Sequence, residues 1–161
     1  MSDSNSIEIR SLTSDDVTLM EAMLTMFGEA FQEVATYSGA RPSNAYLERL
    51  LANDYFIALA ALKNGVVVGG IAAYELVKFE QERSEIYIYD LAVAAAHRRK
   101  GIATALIGEV QKIAATRQAH IVFVQAYLGD TPATALYSKL GRREDVLHFE
   151  IEVNQGWPMP L

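Results

Sequence analysis

Hydrophobic residues along this chain recur at two periods, and the switches between the periods lay out its elements. Ile7 to Leu12 alternate and predict a short strand. Thr13, three residues before Asp16, predicts a capping-box-like helix start. Val17, Met20, Leu24, Phe27 and Phe31 then recur at the spacing of one helix face. Gly39 and Pro42 break that helix, and Ser43 predicts the cap of a second, short helix ending at Leu51. Residues 55–62 and 66–76 read as two strands of a hairpin joined through Asn64-Gly65. After the polar FEQERS, residues 85–93 predict a third strand rich in β-branched and aromatic residues. A helix opens at Gly101, with Ile102, Leu106, Val110 and Ile113 on one stripe. Residues 120–128 predict a strand. GDTPATALYSKLG predicts a helix with Pro132 in its first turn and Gly141 as its stop. Alternation in VLHFEIEV, residues 146–153, predicts a last strand, and the tail NQGWPMPL reads as coil.

The order β-α-α-β-β-β-α-β-α-β predicts an α/β fold. It is a single domain over residues 1–161, with a core at 7–153 and a mixed central sheet of about six to seven strands flanked by about four helices. A right-handed crossover places the helix from Gly101 between parallel neighbouring strands. In such sheets ligands bind beyond the carboxyl ends of the strands, where helix amino termini point.

Composition narrows the function. At 161 residues the chain buries a core without disulfides, and it has no cysteine, so thiolate metal sites and cysteine nucleophiles are excluded. No apolar run spans a bilayer and no leader-like segment follows MSDSNS, which predicts a cytoplasmic protein. The net charge of -6 argues against general nucleic-acid binding and suits a cationic small molecule, although acidity also serves solubility. His97, His120 and His148 lack ligand spacing, so no metal is expected. Ser84 and Ser138 have no triad around them.

Against that acidity, HRRKGIATALI (His97 to Ile107) concentrates positive charge at the wrong end of a helix. Arg98, Arg99 and Lys100 oppose the helix dipole unless an anion is bound there. The unpaired amides of a first turn and a glycine without a Cβ suit a phosphate, and Ala103 keeps the next turn slim. The segment is neither a Walker P-loop nor a dinucleotide fingerprint, and a solvated basic turn is the alternative.

Arg98 to Ala103 form R-x-x-G-x-A after a strand ending DLAV, which resembles motif A of the general N-acetyltransferase (GNAT) superfamily. ATALYSKLG resembles its fourth-helix motif. The longer runs FEQERSEIYIYDLAVAAAHRRKGIATALI and ALYSKLGRREDVLHFEI are similar to the GNAT-type aminoglycoside 3-N-acetyltransferases. The resemblance spans about Ile7 to Val153. It implies acetyl-CoA as co-substrate, with its pyrophosphate on Arg98, Arg99, Lys100, Gly101, Ile102, Ala103 and Thr104. It also implies a pantetheine arm along Leu91, Ala92 and Val93, a homodimer with the carboxyl-terminal strand near the interface, and antibiotic resistance as the outcome. Thr131 departs from the relatives, which often carry a second acid there, and this leaves the acceptor range open.

Acetyl transfer to an amine needs a proton acceptor, a stabilised carbonyl oxygen and a proton for the leaving thiolate. Asp90 is the first candidate base. On a regular strand it shares a face with Ile86, Ile88 and Ala92, an apolar setting that raises a carboxyl pKa. A bulge, usual in GNAT proteins, would swap that face and make Glu85 or Glu80, acting through water, the reserve base. The resemblance gives Tyr137 a place near the coenzyme sulfur as proton donor; an ordinary core tyrosine is the alternative. The amide of Leu91 is the candidate donor to the carbonyl oxygen. Glu80, Glu82, Glu85, Asp90, Asp130, Glu144, Asp145 and Glu150, with Tyr74 and Phe79 as apolar walls, are candidates for holding a polycationic aminoglycoside. Three other readings remain open: the same chemistry on another small amine, a polyamine or a protein amine, a silent acetyl-CoA-binding module, and DNA binding by the basic loop.

Overall fold

A computed structural model describes residues 6–153 of the chain. They fall into two compact units, Met1–Gln125 and Ala126–Leu161. The first contains β1 (Glu8–Ser11), α1 (Val17–Ala30), α2 (Val34–Ser38), α3 (Asn44–Leu51), β2 (Phe56–Lys63), β3 (Val66–Val77), β4 (Ser84–Val93), α4 (Ile102–Thr116) and β5 (Ala119–Val124); the second contains α5 (Thr131–Leu140).

The sheet runs β1-β2-β3-β4-β5, with every pair antiparallel except the parallel β4–β5. Asn64 and Gly65 both take positive φ, 52° and 79°, as a two-residue turn matching strand twist requires, so the β2–β3 hairpin forms as expected. The crossover through α4 joins the parallel pair.

Two neighbouring glycines identify the layers. A Cβ on Gly69 would meet Ile102 of α4, and one on Gly70 would press on Met23 of α1, so successive β3 residues face opposite helices. On the α1 side Phe56, Ala58, Ala60, Leu62, Ala72 and Ala92 join Met20, Met23, Phe27 and Leu47 in one buried cluster. On the α4 side Ile71, Ile86, Leu106 and Val110 are fully enclosed. Burying each such side chain contributes about 1.5–3 kcal/mol.

The differences from the sequence reading have physical causes. Among the described residues there are five strands rather than six to seven, and five helices rather than about four. Residues 146–153 carry no strand, and Leu147, Phe149, Ile151 and Val153 of that alternation are exposed. Alternation makes a strand only where another strand pairs its backbone. Helix α1 starts at Val17, because Asp16 turns back to accept from Thr13 N at 2.8 Å and from Arg10 at 2.7 Å instead of capping the helix. Helix α2 is an addition to the expected elements, lying between Phe31, the last residue of the predicted first stripe, and the break at Gly39. Helix α5 has Pro132 in its first turn as expected, and its cap is Asp130, which accepts from Ala133 N at 3.2 Å. The tail read as coil lies outside the described residues.

Candidate active site

The centre of the site is an irregularity in β4. The β3–β4 register pairs Ala73 with Ile88 but Ala72 with Asp90, leaving Tyr89 as an extra, bulged residue. Ala73 shares the α4 side with Gly69, whereas Ala72 shares the α1 side with Gly70. Ile86 and Ile88 therefore point into the α4 core, while Asp90 and Ala92 turn to the α1 side. The regular-strand expectation that Asp90 shares a face with Ile86 and Ile88 is corrected by this bulge. The parallel pairing stops at Ile88↔Val124, where β5 itself ends, and Tyr89–Val93 run with β3 alone.

Asp90 is held there by a residue the sequence reading missed. Tyr37 of α2 donates its hydroxyl to Asp90 Oδ2 at 2.9 Å. The Tyr37 ring sits 6.1 Å from Phe27 and 5.7 Å from Phe31, so apolar packing fixes the direction of the phenol. Burial raises the Asp90 carboxyl above its ordinary range; the Tyr37 hydrogen bond works against that rise and the Glu33 charge adds to it. Burial, with the charge of Asp90 next, pushes the Tyr37 phenol far up, so it remains a donor. A partly dry carboxylate with one oxygen occupied and a raised pKa is suited to accept a proton.

A cavity of about 220 Å³ opens beside Asp90. Phe27, Leu47 and Phe56 form its buried walls, and the exposed Tyr46 and Tyr89 stand at its rim. Tyr74 also lines it, in edge contact with Tyr89 at 5.9 Å. Burial raises the Tyr74 phenol, and its neighbours Tyr46, Tyr89 and Asp90 add to this.

At the start of α4 the expected loop geometry is present. Gly101 caps the helix with φ 78°, Arg99 has φ 62°, and a Cβ on Gly101 would meet nothing within 4 Å. The amides of Ile102, Ala103 and Thr104 belong to the first turn and have no partner within the helix. Arg99 and Lys100 are exposed and form no ion pair among the described residues. Arg98 instead turns back, donating from Nε to the Val93 carbonyl at 3.1 Å. This open, amide-rich and cationic cradle fits a phosphate-bearing group.

Most of the acids chosen from sequence are engaged elsewhere. Glu85 pairs with Lys78 at 3.7 Å and His120 at 3.1 Å. Glu80 is held below the usual carboxylate range by a backbone hydrogen bond, with Lys78 3.5 Å away, which makes it a poor base. Phe79 is fully exposed and is not part of the lining of the cavity beside Asp90. In the second unit Asp130 caps α5, Asp145 pairs with Arg143 at 2.6 Å, and Glu150 lies 3.5 Å from His148. Glu82 and Glu144 are exposed. Tyr137, on α5, is half-buried, and burial first and the Asp130 charge second raise its phenol. The described residues contain no cluster of His, Cys, Asp or Glu suited to a metal, and no helix long and apolar enough to cross a membrane.

Residues 19–141 match the acetyltransferase (GNAT) family. No curated protein sequence matches the chain. Among solved structures, the aminoglycoside acetyltransferase HMB0005 from an uncultured soil metagenomic sample is 61% identical, with 92% of this chain and 99% of that one covered at a TM-score of 0.91. The aminoglycoside acetyltransferase meta-AAC0020, also from an uncultured soil metagenomic sample and solved with sisomicin, is 28% identical, with 93% and 98% covered and a TM-score of 0.86. A ribosomal-protein-alanine N-acetyltransferase from Brucella melitensis biovar Abortus 2308, 24% identical with 92% and 100% covered at a TM-score of 0.72, shares the fold. A strand that runs on past its parallel partner, a bulge that presents a carboxylate and an open, cationic helix start thus occur in a chain that belongs to the GNAT family and is an acetyl-CoA-dependent N-acetyltransferase.

Proposed function

We propose that this enzyme acetylates the 3-amine of the 2-deoxystreptamine ring of aminoglycosides, by direct attack within a ternary complex, and so confers resistance. The observation that carries the reading is Asp90, fixed by Tyr37 on the α1 side of the sheet just past the end of the β4–β5 pairing. Acetyl-CoA supplies the acetyl group as an activated thioester. Arg99, Lys100, Gly101 and the first-turn amides of α4 would hold its phosphates, and the β4 end from Leu91 to Val93 its arm. Asp90 takes the proton of the attacking amine, and the Leu91 amide faces the developing negative charge. Tyr137 returns a proton to the thiolate; its raised pKa keeps it protonated for that step. The high identity to one aminoglycoside acetyltransferase, and the sisomicin complex of a second, support the acceptor class.

The enzyme works as one catalytic domain in this reading, and as a homodimer. The exposed alternation Leu147, Phe149, Ile151 and Val153 supports a second copy as the cover of that segment. Light scattering at micromolar concentration checks the dimer.

Acetylation of an aminoglycoside panel, with the modified nitrogen located by NMR, tests the function. The 3-amine is the expected site, and Asp90→Asn lowers kcat by about 10²–10⁴. Acetylation at the 6′-amine would overturn the regiochemistry, and no turnover of any aminoglycoside would overturn the acceptor class.

A further inference from the structure

The cavity beside Asp90 has the wrong lining for a substrate that is polar on every side. Its floor is Phe27, Leu47 and Phe56, each under a tenth exposed, and Asp90 is the one carboxylate in the lining. The acids chosen as aminoglycoside contacts from sequence, Asp90 aside, do not line it. A sugar hydroxyl placed against these walls loses its water partners without replacement, and a second ammonium there is worse off still. An apolar cavity of about 150 Å³ already takes a benzene-sized guest, and this one, at about 220 Å³, has room for a ring with a two-carbon arm. The arm then reaches the rim. There Asp90 offers a carboxylate, and the faces of Tyr74 and Tyr89 suit a cation.

We infer that this cavity is an acceptor subsite for primary amines carried on an apolar body, a phenyl ring or short alkyl chain, and that such amines are a second class of acetyl acceptor beside aminoglycosides. The inference rests on Asp90 being at the transfer site. The reaction balances without a further reagent. The neutral amine nitrogen bonds to the acetyl carbonyl carbon, the carbon–sulfur bond breaks with its electron pair going to sulfur, and the amine proton leaves through Asp90 and ends on the thiol. A body that is apolar throughout is what separates this acceptor from a polyamine, whose distal charge would have to enter the cavity.

The test uses the full-length protein with the n-alkylamines from ethyl- to hexylamine and with 2-phenylethylamine. Binding is followed by titration calorimetry, transfer by thiol release from acetyl-CoA, and an aminoglycoside serves as a parallel substrate. Affinity is expected to rise about fourfold per buried methylene until the cavity is full. Leu50, which lines the cavity, sets the break: Leu50→Trp should move it to shorter chains and Leu50→Ala to longer ones. Asp90→Asn should weaken binding across the series. An enzyme that acetylates the aminoglycoside but shows a flat alkylamine series overturns the apolar subsite and leaves the proposed function standing. A rising series whose break follows Leu50, with no aminoglycoside turnover, supports the subsite and overturns the aminoglycoside reading. A flat series with no turnover of either class overturns both. Because the break in chain length is read within each folded variant, a variant that fails to fold leaves the other one and the wild-type series to decide.

Discussion

Removing one oxygen, in Tyr37→Phe, isolates the contribution of the Tyr37–Asp90 contact. The phenyl ring keeps its place against Phe27 and Phe31, so the fold is kept and the melting temperature at neutral pH should fall only by the several degrees that the lost hydrogen bond accounts for. What disappears is the hydroxyl that donates to Asp90 Oδ2 at 2.9 Å. A hydrogen bond to a charged group contributes about 1.5–3 kcal/mol, so without it the Asp90 carboxyl should rise further above its ordinary range. Burial already raises it, and this hydrogen bond is what opposes the rise. The base works in its ionised form, so activity appears as pH climbs through the Asp90 pKa, and the variant needs a higher pH to reach the same activity. The groups facing Asp90 are Tyr37 and Glu33 from the α1–α2 side and Tyr74 and Tyr89 from the sheet. Of these only Tyr37 is altered. The assay is kcat/KM by thiol release between pH 5 and 9, taken as the ratio of variant to wild type so that titration of the acceptor amine cancels. The ratio should fall below about 0.1 on the acid side and recover towards one at high pH. In an Asp90→Asn background the same substitution should leave the profile flat. A ratio constant across pH would refute the assignment and leave Tyr37 with a packing role alone.

Three further outcomes follow from the packing. Gly101→Ala places a Cβ at φ 78° in the anion cradle; it should cost about 1–2 kcal/mol of stability and, by losing one charge-assisted contact, raise KM for acetyl-CoA about tenfold. Gly70→Ala would press a Cβ onto the sulfur of the fully buried Met23, and denaturant unfolding should show a loss of about 1–3 kcal/mol. Arg117→Ala removes the guanidinium that ties Glu75, at 2.8 Å, to the Asp54 carbonyl. Because that arginine is partly exposed, the loss should be about 1–2 kcal/mol at neutral pH. Burial pushes the Glu75 carboxyl up, but Ser84 and Arg117 outweigh it and hold it low. Its contribution is therefore present above the ordinary glutamate range and is lost as pH falls through the lowered value, so wild type and variant should converge in acid unfolding.

How far the sequence reading reached depended on the range of the signal. Asn64-Gly65, the stripe of α4 and Pro132 at the start of α5 are local patterns, and each formed where its residues stand. The Asp130 cap is equally local, an aspartate two residues before a proline, and the sequence reading does not name it. Tyr37 was beyond reach because it sits in a five-residue helix with no periodicity and meets Asp90 across 53 positions. The Tyr89 bulge leaves no mark in the alternation of β4, because apolar and aromatic residues occupy both faces there. Residues 146–153 have the right period for a strand and pair with no strand among the described residues.

The extra residue at Tyr89 makes the chemistry of this enzyme a question of counting. Up to Ile88 the strand is in step with the α4 core; from Asp90 it is in step with the cleft. Drawing Tyr89 into regular alternation, with no residue lost, would turn the carboxylate into the layer of Ile71, Ile86 and Leu106, where an unpaired charge is not tolerated. Removing Tyr89 would instead leave Asp90 opposite Ala72 and on the cleft side, in a strand without its bulge. What the extra residue adds is a neighbour: it lets Tyr89 and Asp90 both line the same cavity, where a regular strand would send consecutive side chains to opposite faces.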